Sequence, residues 1–279
     1  MQRRDFLTMG CLAAVSRLAA QFRNGGWKVG MCDWMLRNSE PSVFELAAKI
    51  GLDGVQLGIP GNDQQTLRMR RPEVQRQYLA ASRRTGVAIL GTACQFRRPL
   101  KTEPAAALVL HDWIEVTRNL GAEVILVPFF GKQNIVDVNA AEEFDRVVGV
   151  LKELGPRAEK MGVILGLENT LSATDNLKIL DAVQSPAVQV YYDVGNSTSN
   201  GHPVLEEIRR LGASRICEFH IKDGKHLLGQ GPIDMPAVAA AIRSIQYEKW
   251  LVLETSSPND VAADTRTNLE YMRKVFTRS

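Results

Sequence analysis

The chain has 279 residues, of which 45% are hydrophobic and 23% are charged, and its formal net charge is +3. These values are typical of a globular protein and exclude a disordered or fibrous one. Arg3, Arg4 and Arg17 against Asp5 contribute +2 of this charge near the N-terminus, so the rest of the chain is nearly neutral and lacks the basic surface that a nucleic-acid partner requires.

The first 26 residues form a segment of their own. Arg3 and Arg4 are followed by Asp5 and then by a short apolar stretch rich in alanine, an order that resembles a twin-arginine export signal. We therefore expect a periplasmic or otherwise extracytoplasmic protein. Arg17 interrupts the apolar stretch, which leaves open the alternative of a cytoplasmic protein with an N-terminal extension. No later stretch has the roughly 20 apolar residues of a membrane span.

From residue 27 onwards a short apolar strand alternates with a longer amphipathic helix. Several helices run into a glycine just before the next strand, as in "AAKIGLDGV", "SRRTGVAI", "TRNLGAEVI" and "AEKMGVIL", and glycine is the usual left-handed cap that ends a helix. The apolar runs predict eight strands, at residues 28–34, 54–58, 87–93, 124–129, 162–168, 188–193, 215–221 and 250–254.

Strands that alternate with helices are parallel, and strands covered on both faces are apolar throughout. Eight such units predict a single closed (β/α)8 TIM barrel over residues 27–279. The alternative is an open doubly wound sheet. That fold expects a glycine-rich phosphate turn after the first strand, where this chain has "MCDWMLRN".

Polar residues stand at the ends of the last four predicted strands, where a TIM barrel has its active site. They are Glu168, Asp193, His220 and Glu254, separated by 25, 27 and 34 residues, which is one strand-helix repeat each time. Neighbouring strands lie about 4.8 Å apart, so these side chains can converge. Taken singly, a strand-end carboxylate can cap the next helix, and a lone histidine can be a core residue.

A cluster of three carboxylates needs a cation, because each pair at about 4 Å repels by roughly 1–4 kcal/mol. We therefore predict that Glu168, Asp193, His220 and Glu254 bind one divalent metal ion. Oxygen-rich ligation with one imidazole favours Mn²⁺, with Mg²⁺, Co²⁺ or Zn²⁺ as alternatives. Cysteine spacing indicates buried free thiols rather than a metal-thiolate site.

The stretches "GLENT", "YYDVGN", "FHIKD", "GQGPID" and "LVLET" resemble the sugar phosphate isomerase/epimerase group of xylose isomerase-like TIM barrels. The resemblance implies that the metal binds adjacent hydroxyl and carbonyl oxygens of a sugar. It also implies that Glu168 and Glu254 exchange a proton on opposite faces of the carbon beside the carbonyl, through a metal-stabilised enediolate. In "AAKIGLDGVQLG" the group usually has Glu where this chain has Gln56.

Five further residues are candidates for substrate binding. Where ketose 3-epimerases often have a histidine and an arginine, this chain has Asn196 and His226, so the usual ketohexose pose is in doubt. Lys222 points away from His220 if strand geometry persists, but reaches a substrate oxygen if the strand breaks there. The remaining two are Trp34, as apolar cover on a sugar face, and His202; their structural alternatives are core packing and a surface loop.

The leading hypothesis is a metal-dependent isomerase or epimerase of a sugar or keto-sugar. The first alternative is a lyase or dehydratase that acts on a keto-sugar or inosose at the same site. A non-catalytic carbohydrate-binding barrel of the envelope is a weaker alternative, because it could lose a carboxylate and this chain has kept all of them. An apurinic-site endonuclease with three zinc ions is disfavoured by a total of four histidines. The sequence leaves monomer and homo-oligomer open.

Overall fold

A computed structural model describes residues 26–59, 68–94, 99–130 and 137–278. Its strands form one closed barrel in which each strand pairs in parallel with the next, and β1 closes the ring by pairing with β8. The predicted TIM barrel is therefore confirmed. The strands are Val29–Cys32 (β1), Gly54–Ile59 (β2), Ala88–Cys94 (β3), Val124–Pro128 (β4), Ile164–Glu168 (β5), Val188–Asp193 (β6), Ile216–Ile221 (β7) and Leu251–Leu253 (β8). The predicted export signal lies outside the described residues except for Gly26.

The helices surround the barrel and end where the sequence indicated. Gly51, Gly86 and Gly162 cap three of them with positive φ angles of 99°, 75° and 65°, which only glycine adopts at no steric cost. No helix in the described ranges is both long and apolar enough to span a membrane. The helices are Val43–Ile50 (α1), Pro72–Thr85 (α2), Pro104–Asn119 (α3), Ala141–Met161 (α4), Ala173–Val183 (α5), Val194–Ser199 (α6), Val204–Leu211 (α7), Met235–Ser244 (α8) and Val261–Val275 (α9).

Two apolar cores hold the fold together. The larger one lies between the barrel and the helices and includes Phe44, Ile114 and Leu180. The smaller one fills the barrel interior with residues such as Leu126 and Tyr191, so the barrel is packed rather than open along its axis. Cys32, Cys94 and Cys217 are buried free thiols, as the sequence indicated.

Strand β7 contains an irregularity directly below the predicted site. Val190 of β6 pairs with Ile216, but the next residue, Tyr191, pairs with Glu218, so Cys217 is an extra residue in β7. A bulge of this kind re-aims the side chains that follow it and is common near active sites. Its effect here is that His220 lies directly opposite Asp193 on the neighbouring strand.

Candidate metal centre and active site

The four predicted ligands come together at the carboxyl ends of β5 to β8. Glu168 and Asp193 are the last residues of β5 and β6, His220 is the penultimate residue of β7, and Glu254 follows β8 directly. One ligand atom from each lies within 4.8 Å of all the others. Glu168, Asp193 and His220 are buried and Glu254 is half-buried, so the cluster is shielded from water on its barrel side.

His220 lies at the centre of the cluster. Its Nδ1 atom is 2.9 Å from Glu168 Oε1, 3.6 Å from Glu254 Oε2 and 3.7 Å from Asp193 Oδ2. Burial alone would lower the pKa of His220, but the neighbouring carboxylates of Glu254 and Glu168 raise it above its ordinary value. Without a metal, Nδ1 therefore holds a proton that a metal ion would replace.

The other ring nitrogen of His220 faces the opposite side of the barrel. Nε2 lies 3.0 Å from Gln56 Oε1 on β2 and 3.4 Å from Cys32 Sγ on β1. Because an amide oxygen only accepts hydrogen bonds, Nε2 carries a hydrogen and donates it to Gln56. Nδ1 is then the ring nitrogen left to bind a metal, and Gln56 is the partner that fixes this orientation. The sequence marked Gln56 only as a departure from the family pattern.

Asp193 caps a helix and also faces the cluster. Its Oδ1 accepts the backbone N–H of Asn196 at 2.8 Å and so caps the short helix α6. Its buried Oδ2 faces the cluster, 2.7 Å from Lys222 Nζ and 3.7 Å from His220 Nδ1. Burial would raise the pKa of Asp193, but the neighbouring imidazole of His220 and the charge of Lys222 hold it well below its usual range. The capping interpretation and the metal interpretation are therefore compatible, since each uses a different oxygen.

Lys222 reaches into the cluster, which corrects the expectation that regular strand geometry would point it away. Its Nζ lies 2.7 Å from Asp193 Oδ2 and 2.6 Å from Glu254 Oε2. This is feasible because β7 ends at Ile221 and because Gly195 lies against the lysine stem. A Cβ at Gly195 would come within 2.4 Å of Lys222 Cγ, which is closer than packing allows. Burial lowers the pKa of Lys222, but the charges of Asp193 and Glu254 raise it above its usual range.

The charges and donor atoms of the cluster fit a divalent cation. Three carboxylates and one lysine leave two negative charges if the imidazole is neutral, and Asp193 Oδ2, which is ion-paired with Lys222 in the metal-free protein, offers a ligand atom. Burial raises the pKa of Glu168 to about 7, against the opposing effect of His220, as expected for a carboxylate that lacks a cation.

Cys32, His220 and Glu254 form a second geometric grouping with metal-ligand atoms. Burial raises the pKa of the Cys32 thiol to about 12, so this residue is a neutral thiol near pH 7. Since a thiolate is the form that binds metal, the carboxylate set is the better site. Carboxylate oxygens and one imidazole remain a donor set suited to Mn²⁺, Mg²⁺ or Co²⁺.

Trp34 lies two residues beyond β1, in the following turn, and not at the strand end as expected. Its indole N–H donates to Glu254 Oε1 at 3.1 Å, and its ring lies edge-on to that of His220 with the ring centroids 6.2 Å apart. Trp34 and Lys222 hold different oxygens of Glu254. The side chain of Glu254 is therefore oriented by one neutral and one charged donor.

The other three candidate substrate residues differ in position. Asn196 is half-buried in α6, three residues after Asp193. His202 Nε2 lies 2.9 Å from the carbonyl oxygen of Thr170, which places this histidine beside the loop that follows β5. His226 is exposed, and its backbone N–H donates to the carbonyl of Asp223. A role for these three side chains in substrate binding stays a prediction.

Two polar residues after the strand ends organise loops. Asp223 is fully buried and its carboxylate accepts the backbone N–H groups of Gly229, Gly231 and Ile233, so it shapes the loop after β7. Asn169 follows Glu168 directly, and its side chain exchanges hydrogen bonds with Asn176.

The structural class of this chain is a closed parallel barrel with a carboxylate-imidazole cluster at the carboxyl ends of its strands. Residues 44–275 match the xylose isomerase-like TIM barrel family, and the chain belongs to that family.

Known relatives and structural neighbours include several sugar epimerases. A 2-epi-5-epi-valiolone 7-phosphate 2-epimerase from Actinoplanes sp. is 29% identical over 88% of this chain and 94% of its own. A 3-oxo-isoapionate decarboxylase from Pectobacterium atrosepticum is also 29% identical, over 48% of this chain and 57% of its own. Among solved structures, D-psicose 3-epimerase from Clostridium cellulolyticum H10 superposes with a TM-score of 0.77 at 16% identity, covering 90% of this chain and 99% of that one.

Proposed function

We propose that the protein is a divalent-metal-dependent epimerase or isomerase of a sugar or keto-sugar. The observation that carries the proposal is the convergence of Glu168, Asp193, His220 and Glu254, with more carboxylates than cationic side chains, at the carboxyl ends of β5 to β8. Sugar epimerases among the relatives support the same reaction type.

Each residue of the cluster has a distinct task in this proposal. Glu168, Asp193, His220 through Nδ1, and Glu254 would hold the metal. When bound, a divalent cation acidifies the carbon beside a chelated carbonyl group by withdrawing charge from its oxygen. Glu168 and Glu254 would remove a proton from that carbon and return one to it.

Lys222 and Trp34 complete the site. Lys222 would donate a hydrogen bond to a substrate oxygen from its place between Asp193 and Glu254, and Trp34 would cover the sugar while it orients Glu254. The substrate class is a sugar with a hydroxyl group next to a carbonyl, because these two oxygens can chelate one cation.

The test is solvent-proton exchange. Protein loaded with Mn²⁺ is incubated in D₂O with a panel of keto-sugars, with and without phosphate, and the recovered sugars are analysed by NMR. We expect one deuterium at the carbon beside the carbonyl, together with a new epimer or isomer. A panel in which no sugar exchanges, while Glu168→Gln and Glu254→Gln bind sugar as the wild type does, would instead support a non-catalytic carbohydrate-binding barrel.

A lyase or dehydratase is the second candidate, because the same carboxylates could assist elimination and one relative is a decarboxylase. The same experiment distinguishes them. Loss of water or carbon dioxide, without deuterium in recovered substrate, would favour the lyase. Deuterium in unchanged or epimerised sugar would exclude it.

Export is a separate proposal that rests on the N-terminal sequence alone. Arg3 and Arg4, followed by an alanine-rich apolar stretch, support delivery of the folded protein through the twin-arginine pathway. Cell fractionation of the wild type and an Arg3→Lys/Arg4→Lys variant tests this. We expect the variant to remain in the cytoplasm, and an identical distribution of both proteins would contradict export.

A further inference from the structure

Three buried polar atoms below His220 lack a hydrogen-bond partner in the described part of the chain. They are Nε2 of Gln56, the hydroxyl oxygen of Tyr191 and Oε2 of Glu218. Each of these residues is at most 1% exposed. Since buried polar groups in proteins are almost always hydrogen-bonded, three unpartnered atoms in one region indicate a common partner.

Gly91 of β3 lies beside two of these atoms. The point that a Cβ at residue 91 would occupy is 3.1 Å from the carbonyl oxygen of Val124, 3.5 Å from Glu218 Oε2 and 3.8 Å from Gln56 Nε2. All three neighbours are polar, although the barrel interior around them is mainly apolar. A glycine therefore keeps side-chain atoms away from a point that is surrounded by a donor and two acceptors.

Tyr191 closes the same region from β6. Its hydroxyl lies near enough to the Glu218 carboxylate to lower the pKa of that carboxyl as a hydrogen-bond donor does, against the larger effect of burial, although the contact does not meet strict hydrogen-bond geometry. The ring of Tyr191 lies edge-on to that of His220, with the centroids 4.5 Å apart. The unpartnered atoms are thus next to the metal centre, on its barrel side.

We propose that an internal water molecule binds between Gln56, Glu218 and Val124, beside Gly91. The water would accept a hydrogen bond from Gln56 Nε2 and donate to Glu218 Oε2 and to the Val124 carbonyl, with Tyr191 as a fourth partner. Buried waters typically make about three such bonds. A bound cation fits less well, because the N–H group of Gln56 would then face a positive charge.

Through this water, Glu218 would position the side-chain amide of Gln56. Gln56 can hold His220 Nε2 only while its oxygen faces the ring, and its amide could otherwise rotate by half a turn. A water fixed by Glu218 requires the amide nitrogen on the barrel side, which leaves the oxygen facing His220. Glu218 and the water thereby keep a hydrogen on Nε2 and leave Nδ1 for the metal.

Two measurements test the proposal without any sugar substrate. A high-resolution crystal structure of the wild type should show a water within about 3.2 Å of Gln56 Nε2 and Glu218 Oε2. ¹⁵N-histidine NMR of the full chain should show a hydrogen on His220 Nε2 that exchanges slowly with solvent. A structure in which other protein atoms fill this point would overturn the proposal.

Variants then test the positioning role. Gly91→Ala and Glu218→Leu should make the His220 Nε2 hydrogen exchange fast and weaken Mn²⁺ binding about tenfold in calorimetry, as for other residues that orient metal ligands. Glu218→Gln keeps an acceptor for the water and should behave as the wild type does. Leu126→Ala, in the same interior core, controls for general destabilisation and should leave the Nε2 hydrogen protected.

If Gly91→Ala and Glu218→Leu fold and match the wild type in both readouts, Glu218 has no positioning role. If they do not fold, the wild-type structure and NMR spectrum decide.

Discussion

The two halves of the barrel contribute different chemistry to the same site. Strands β5 to β8 supply the charged groups, namely three carboxylates, an imidazole and Lys222. The β1–β4 half supplies neutral groups that contact them, namely Gln56 on His220 and Trp34 on Glu254. One half carries the charged groups and the other half orients them. Substitutions in the two halves should therefore differ in their effects on turnover and on metal affinity.

The largest effect is expected in the charged half, from Glu168→Gln and Glu254→Gln. An amide keeps an oxygen for the metal but cannot exchange the substrate proton, so turnover should fall by roughly 10²–10⁴-fold, the usual contribution of a general acid or base. Steady-state kinetics on the sugar identified by deuterium exchange measures this. The exposed Glu206 offers a matched control, since Glu206→Gln should leave turnover unchanged. Equal activity of the variants and this control would remove the proton-transfer role.

In the neutral half, Gln56→Leu should act on metal affinity. Without the amide oxygen the hydrogen on His220 Nε2 loses its partner, and Nδ1 loses its fixed orientation. Mn²⁺ binding should weaken about 10–100-fold. Calorimetric titration of the metal-free protein measures it, and Gln56→Glu, which retains an acceptor, should restore most of the affinity. An unchanged dissociation constant in Gln56→Leu would show that the neutral half does not support the ligands.

The pH dependence of metal affinity distinguishes two protons that metal binding displaces, one on His220 and one on Glu168. Metal binding displaces the Nδ1 proton of His220, whose pKa is raised, and below about pH 7 it also displaces the proton of Glu168. Affinity should therefore fall as the pH falls, and more steeply below about pH 7 than above it. Calorimetry in buffers with different ionisation enthalpies counts the released protons. A count that stays constant between pH 6 and pH 8 would contradict the raised pKa of Glu168.

Lys222→Met tests whether the lysine competes with the metal. Lys222 neutralises Asp193 and Glu254 in the metal-free protein, so its loss should lower the melting temperature without metal and raise Mn²⁺ affinity by about tenfold, from the repulsion that is removed. Thermal melts with and without Mn²⁺ measure both. If added metal stabilises the variant no more than it stabilises the wild type, the two cations do not compete.

The smallest effect is expected from Trp34→Phe, again in the neutral half. The substitution keeps an aromatic ring and removes only the N–H group that holds Glu254 Oε1, a hydrogen bond worth about 1 kcal/mol. Turnover should fall several-fold while Mn²⁺ affinity stays near the wild-type value. Kinetics and calorimetry on the same preparation measure this, and a large loss of affinity would mean that Trp34 supports the metal rather than the reaction.

The fold and the four residues that converge at the candidate metal centre could be predicted from the sequence. Apolar runs of strand length, several of them preceded by a glycine that ends a helix, specify eight parallel strands because few other residues cap a helix this way. The spacing of Glu168, Asp193, His220 and Glu254 follows the same repeat, and neighbouring strands of a closed barrel bring equal positions together. These features are periodic, and periodicity can be read from one chain.

Other contacts depend on the tertiary structure and could not be predicted from the sequence. The extra residue Cys217 in β7 sets His220 opposite Asp193, and no residue pattern marks a bulge of this kind. Lys222 enters the cluster because β7 ends before it and because Gly195 leaves room for its stem. Gln56 reaches His220 from β2, and Trp34 reaches Glu254 from the turn after β1, the strand that closes the ring with β8, in both cases across more than 160 residues of sequence. Such contacts arise from packing across the barrel, which no local pattern encodes.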